Sequence, residues 1–367
     1  MFKMRWLCSF LGILVVTSSA TACYNDIDTN LTELRDNLDV TKAIIGRFTI
    51  YPREYYRRRI EIQSAILKKD PNNLEAYDNI SVAYDRVGDG DSALKWIREK
   101  RKHLTNAPKI QLYSTEANEG TFLIVRWIRG HKPGDLTDAI ESEKHIAKAL
   151  EINPNAHFGR EFAQLYSIQA MIACGKEEHW ESLFAETLIK IADKKHIDHK
   201  KLRFGIAGMM VLGAAWNMPA MIQAIANLVP EETQVVNLCR MRIGAAIPEW
   251  DKNDYSIVNV KKVNPKERAV LQTLLSNGDE FQAHREAWIL DQISKGRHPD
   301  THPDFWKGFT DVPEIGETEL IVKRKKPWYQ SQERVMQMAV IFGAVTSMFL
   351  VVGYYIYRKR RFIQRGF

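Results

Sequence analysis

The sequence predicts an all-α fold: a solenoid of helical hairpins, followed by a linker and a single C-terminal transmembrane helix. Three observations carry this expectation. Tyr77, Ile80, Tyr84 and Val87 recur at spacings of three and four, which places them on one face of a helix. After the break at Gly88-Asp89-Gly90-Asp91, Ala93, Leu94 and Ile97 begin a second apolar face. Two amphipathic helices joined by a turn cannot bury both faces alone, so neighbours stacked on either side are implied. Finally, Val335 to Tyr357 carries no charge and is long enough to cross a bilayer, which takes about 20 residues at about 1.5 Å each.

In chain order, residues 1–22 read as a secretory signal: Lys3 and Arg5, an apolar run from Trp6 to Val16, then Ala20-Thr21-Ala22. The body of the chain is therefore expected on the exported side. Cys23 follows the cleavage site, and Ala20-Thr21-Ala22-Cys23 resembles a bacterial lipobox with Ala where Leu is usual. Lipidation at Cys23 and plain cleavage both stay open. Residues 23–51 form a leader with Leu31, Leu34 and Leu38 at helical spacing. Asn30 and Asn79 open glycosylation triplets that chance explains, Asn79 lying within a repeat helix.

Residues 52–155 hold the clearest repeats. Set against the family pattern, Asp70 to Leu104 resembles a tetratricopeptide (TPR) repeat, with Tyr77, Ile80, Ser81, Tyr84, Gly88, Ala93, Ile97 and Lys100 at signature positions and Pro71 at the boundary. Only Lys100 departs clearly, standing where a small residue is usual. Before it, Tyr56, Ile60, Gln63, Ile66 and Leu67 share a face that ends at Asp70-Pro71, and the arginines among them are expected to face solvent. Ser142, Ile146, Ala149 and Pro154 match the second half of another repeat. Pro71 and Pro154 stand 83 residues apart, whereas two repeats take about 68. A longer helix or an inserted loop must lie between Leu104 and Asp135.

Residues 156–296 read as divergent hairpins. Phe158, Phe162, Leu165, Tyr166 and Ile168 begin one, and Trp180, Phe184, Leu188 and Ile191 supply its partner. Phe204 to Val229 has no charged residue, yet Trp216-Asn217-Met218-Pro219 interrupts it where a turn belongs. A buried hairpin is expected there, with a second membrane span as the alternative. Pro248 to Val263 reads as a short strand or extended loop, and Asn264 to Ile293 as a helix pair broken at Asn277-Gly278-Asp279. A linker over 297–333 contains Pro299, Pro303, Pro313 and Pro327, and leads to the span at 334–357 and a basic cytoplasmic tail at 358–367.

The net charge is +7, with 45% hydrophobic and 26% charged residues, and the basic excess gathers beside Val335–Tyr357. No nucleic-acid partner is expected. Four cysteines do not make a disulfide framework. Cys174 and Cys239 sit in apolar helical contexts, as buried thiols or as a pair in an oxidising compartment. No haem, nucleotide or serine-hydrolase motif is present, and neither cofactor nor catalytic residue is expected. His298, Asp300, His302 and Asp304 offer metal-ligand atoms within a short space, the basis of a rival reading as a metal-dependent enzyme. His196 and His199 fall in a charged loop.

The TPR resemblance implies a groove lined by the first helices of successive repeats, with Glu75, Asp78, Val82, Asp85 and Arg86 at groove positions. Asp78 and Val82 stand where the family's carboxylate clamp has Lys and Asn, so an acidic C-terminus is not the expected ligand. The carboxylates favour a basic protein partner by charge complementarity. The expected function is a membrane-anchored interaction scaffold or assembly factor, held to the bilayer through Val335–Tyr357 with its helical part exported and its C-terminus cytoplasmic. A lipoprotein-type envelope assembly component is the other alternative.

Overall fold

The computed structural model describes residues 40–154, 159–212, 215–229, 234–246, 263 and 265–315. Every regular element among them is helical: α1 (Val40–Ile45), α2 (Arg53–Lys69), α3 (Leu74–Val87), α4 (Gly90–Arg101), α5 (Lys109–Arg129), α6 (Thr137–Ile152), α7 (Arg160–Cys174), α8 (Trp180–Lys194), α9 (His199–Leu212), a 3-10 turn (Ala215–Asn217), α10 (Pro219–Asn227), α11 (Gln234–Ala246) and α12 (Pro265–Ser294). The signal segment, Cys23, Leu31 to Leu38, all but Val263 of the expected strand, and Val335–Tyr357 lie outside the described residues.

The α3–α4 hairpin forms where the periodicity places it, and its ends are satisfied locally. Asn73 Oδ1 accepts from the Ala76 amide at 3.0 Å, and Asp89 Oδ1 accepts from the Ser92 amide at 2.9 Å. Each such cap contributes about 1 kcal/mol. Between them the chain turns at Gly88, whose φ of 96° is the left-handed conformation that ends a helix. The apolar faces meet those of the next helix: Val82, Ala93, Leu94 and Ile97 pack with Phe122 and Leu123 of α5. Full burial of one such Leu, Ile or Phe stabilises by roughly 1.5–3 kcal/mol.

The hairpins stack as a solenoid does. Each helix from α2 to α7 packs on the next, and alternate helices also touch, α3 on α5, α7 on α9 and α8 on α10. The excess length between Pro71 and Pro154 is shared by α5, a helix of 21 residues, and the connections at 102–108 and 130–136 on either side of it. Phe204 to Val229 is a hairpin, formed by the end of α9 and α10 around Met218-Pro219.

The chain then closes on itself. α12 packs on both α1 and α2, and α1 also touches α9 and α11. The expected break at Asn277-Gly278-Asp279 does not occur, and α12 runs unbroken for 30 residues. Gly278 instead marks a close approach, since a Cβ there would overlap the Ile45 carbonyl oxygen of α1. Beside it, Gln282 Nε2 donates to the Gly46 and Phe48 carbonyls, and Phe48 meets Trp216 edge-on with ring centroids 5.0 Å apart.

The expected architecture is corrected at its C-terminal end. Residues 298–315 are no linker: Phe305 and His298 are buried, and Phe305 packs with Tyr55, Tyr56 and Ile289. The prolines punctuate a chain of tight turns laid against α2 and α12. Nor does a transmembrane helix belong to the described structure. Among the described residues no helix is long and apolar enough to cross a membrane, the α9–α10 segment included.

Candidate functional site

The five expected groove residues do not form an open face. Asp78 is buried: its Oδ2 accepts from Lys100 Nζ at 2.6 Å and from Ser114 Oγ at 3.1 Å, and its Oδ1 from Asn118 Nδ2 at 3.0 Å. Burial pushes the Asp78 carboxyl up, against the pull of Lys100, and pushes the Lys100 ammonium down, against the pull of Asp78. This explains the departure at Lys100. A small residue there would leave the Asp78 carboxylate without its cation. Val82 lies in the α3–α4–α5 core. Asp85, fully buried, accepts from Arg129 Nη1 at 2.9 Å, and Arg86 reaches the Leu212 carbonyl of α9 at 3.3 Å. Only Glu75 is exposed. The array curls tightly enough for α3 and α9 to touch, so these side chains bridge helices.

The metal-ligand atoms of the His298–Asp304 segment are similarly committed. Asp300 takes both prongs of Arg59, Nε at 3.0 Å and Nη2 at 2.8 Å, and Gln63 Nε2 at 2.8 Å. Arg59 is fully buried, against the expectation that the α2 arginines face solvent. His298 stacks on Tyr55 with centroids 4.4 Å apart. Its Nδ1 accepts from the Asp300 amide, so Nε2 carries the proton donated to the Tyr55 carbonyl at 3.2 Å. Asp304 pairs with Arg297 at 2.9 Å. Among the described residues no group of three or more His, Cys, Asp or Glu side chains is placed to hold a metal ion. Cys174 and Cys239 are buried free thiols. Burial pushes the Cys174 thiol up to about 11 and Cys239 higher still.

What the curl leaves is a half-enclosed cavity of about 180 Å³ between alternate helices α5, α7 and α9, the 3-10 turn and α10. Its wall is largely apolar, with Ile124, Val125, Ile128 and Ile168 beside Met171, Met209, Met218 and Met221. The polar residues of the lining are Thr121, Gln164, Ser167 and Arg129. Thr121 Oγ1 donates to the Ala117 carbonyl at 2.8 Å and accepts from Gln164 Nε2 at 3.0 Å. That fixes the Gln164 amide with its oxygen as the spare atom. Gln164 Oε1 and Ser167 Oγ have no hydrogen-bond partner among the described residues, although the two residues are only 5% and 1% exposed.

Sequence reasoning passed over this cavity. Phe162, Leu165 and Ile168 marked α7 as amphipathic, but the lining of α5, α7, α9 and α10 meets only through the superhelical turn. The one available signal was the concentration of methionine between Met209 and Met221. Compared with known proteins, the chain matches no family model, no curated protein and no solved structure.

Proposed function

We propose that the folded unit is a protein-interaction scaffold of TPR-like hairpins that acts on the exported side and holds a partner by taking an apolar side chain into the α5–α7–α9–α10 cavity. The observation that carries this reading is the wall of the cavity. Methionine is unbranched and polarisable, and surfaces that accept apolar side chains of varied shape are rich in it. Concave, mostly apolar pockets with a few convergent polar atoms are the usual form of a binding site. The TPR-like reading draws on the signature positions in Asp70–Leu104, and the exported location on the order of charge, apolar run and small residues before Cys23. A basic partner is no longer favoured, because Asp78 and Asp85 already hold Lys100 and Arg129.

A photo-crosslinking side chain placed at Ile128, on the cavity wall, tests the reading in intact cells against the same side chain at Lys190, whose side chain is 72% exposed on α8. A discrete protein adduct from Ile128 and none from Lys190 is expected. Equal labelling from both positions, or none from Ile128, would remove the cavity from partner binding.

A further inference from the structure

We infer that the occupant of the cavity is the phenyl ring of a phenylalanine presented by the partner, which rests on the interaction reading above. Size sets the first limit. About 180 Å³ slightly exceeds the roughly 150 Å³ of an apolar protein cavity that takes up benzene. A phenyl ring with its methylene fills that space. The smaller side chains of valine and leucine leave part of it empty and forfeit contacts, and the fused rings of an indole overrun it.

The wall sets the second limit. Met171, Met209, Met218 and Met221 line the space, and thioether sulfur makes favourable contacts at the edge of aromatic rings. Arg129 is the one charged residue among the described residues of the lining. It gives Nη1 to Asp85 Oδ1 at 2.9 Å and Nη2 to the Asp85 carbonyl at 3.1 Å. Bonds of this kind lie in the plane of the guanidinium and leave its faces to stack on a ring. An aliphatic side chain gains neither contact.

The polar atoms set the third limit. Gln164 Oε1 and Ser167 Oγ are sealed from the space, and Thr121 Oγ1 is engaged with the Ala117 carbonyl and Gln164 Nε2. A side chain joined to a partner's main chain enters tip first. The hydroxyl of a tyrosine would arrive at the inner end, against the apolar wall, and lose its water without a hydrogen bond in exchange. A carboxylate loses more, because the Arg129 charge is already matched by Asp85. Phenylalanine brings a ring and no polar atom.

The test is an NMR titration of the full chain, isotope-labelled at its methionine methyl groups. N-acetylphenylalaninamide should shift the signals of Met171, Met209, Met218 and Met221 and leave Met241, buried on α11 outside the lining, in place. N-acetyltyrosinamide should bind about tenfold more weakly, for a hydroxyl buried without a partner. N-acetylleucinamide should bind about fivefold more weakly, lacking the sulfur and guanidinium contacts. Arg129→Lys keeps the charge beside Asp85 but not the planar face, and should shrink the preference over leucine. Met209→Leu combined with Met218→Leu conserves volume and should do the same. Circular dichroism checks that the variants fold; if they do not, the wild-type ratios decide. The leucine compound binding as tightly as the phenylalanine compound overturns the ring, and the tyrosine compound doing so overturns the exclusion of a polar tip. Absence of any methionine shift overturns the ring site, and Ile128 adducts formed all the same would keep the interaction reading. In cell extracts, the phenylalanine compound should suppress the Ile128 adduct more than the leucine compound does at equal concentration, which upholds the partner's phenylalanine as occupant. Adducts that persist, or methionine shifts with no adduct, overturn that occupant and give the ring site to a free arene.

Discussion

Lys100 shows how one residue's departure from a repeat pattern is explained by its neighbours in space. Its ammonium, fully buried, meets Asp78 and Ser114 at 2.6 and 2.8 Å. Removing one member of such a pair leaves an uncompensated charge, at about 3–5 kcal/mol, whereas replacing both by apolar groups of similar volume is nearly neutral. Urea denaturation of Lys100→Ala should therefore show a large loss of stability. Asp78→Leu combined with Lys100→Met should recover most of it; additive losses in the double variant would mean that the pair is not the coupling. Two other carboxylates tie the fold to pH. Burial works to raise Asp300, but the Arg59 charge and the hydrogen bonds from Arg59 outweigh it and hold the carboxyl well below the usual range. Burial also opposes the lowering of Glu116, which the His145 and Arg101 hydrogen bonds bring down to about 2. A carboxyl depressed in the folded state contributes stability that is present above its unfolded pKa of about 4 and is lost as pH falls through the folded value. The urea midpoint should hold from neutrality to about pH 5 and fall below it. Asp300→Asn should start lower at neutral pH and fall less steeply in acid. An unchanged acid slope in that variant would remove Asp300 from the titration.

At the scale of elements, the sign of one substitution separates propensity from packing. In an exposed helix interior, Gly→Ala stabilises by up to about 1 kcal/mol. At Gly278 the same change would drive a Cβ into the Ile45 carbonyl of α1, and overpacking costs about 1–3 kcal/mol. Thermal denaturation of Gly278→Ala should show a lower Tm; a raised one would mean that α1 does not sit against α12. The Asn277-Gly278-Asp279 triplet carries the residue types of a turn, which is why it reads as one in sequence. The helix runs through because Asn277 is drawn into tertiary bonds, Oδ1 accepting from Arg47 Nη1 at 2.5 Å and Nδ2 donating to the Pro313 carbonyl at 3.2 Å. The α3–α4 hairpin was legible to within a residue or two, because its caps, its glycine and its apolar period all lie inside one short stretch.

For the folded unit as a whole, closure changes how it should come apart. In an open solenoid each repeat contacts only its neighbours, and unfolding can spread from an end. Here α12 covers α1 and α2, and residues 298–305 add the Arg59–Asp300 pair and the buried Phe305. Native-state hydrogen exchange should find α2 and α12 opening together. Phe305→Ala, a truncation costing about 3–5 kcal/mol, should lower protection in both while leaving α6 less affected. Loss confined to α12 would show that the two ends are not coupled. The same curl that brings α2 to α12 brings α3 to α9, and it converts the expected open groove into the cavity.

The sequence by itself determined the helices and their pairing into hairpins, because amphipathic period, caps and breakers act over a few residues and are written where they act. The spacing of Pro71 and Pro154 also called for extra length between Leu104 and Asp135, as a longer helix or an inserted loop. Only the tertiary structure decided which polar residues are buried, that 298–315 is a clasp, and where the cavity lies. Arg59 and Asp300 are 241 residues apart in the chain, and the cavity is drawn from four helices and a turn. No local pattern records such meetings, since they follow from small rotations accumulated from hairpin to hairpin until the last helix reaches the first.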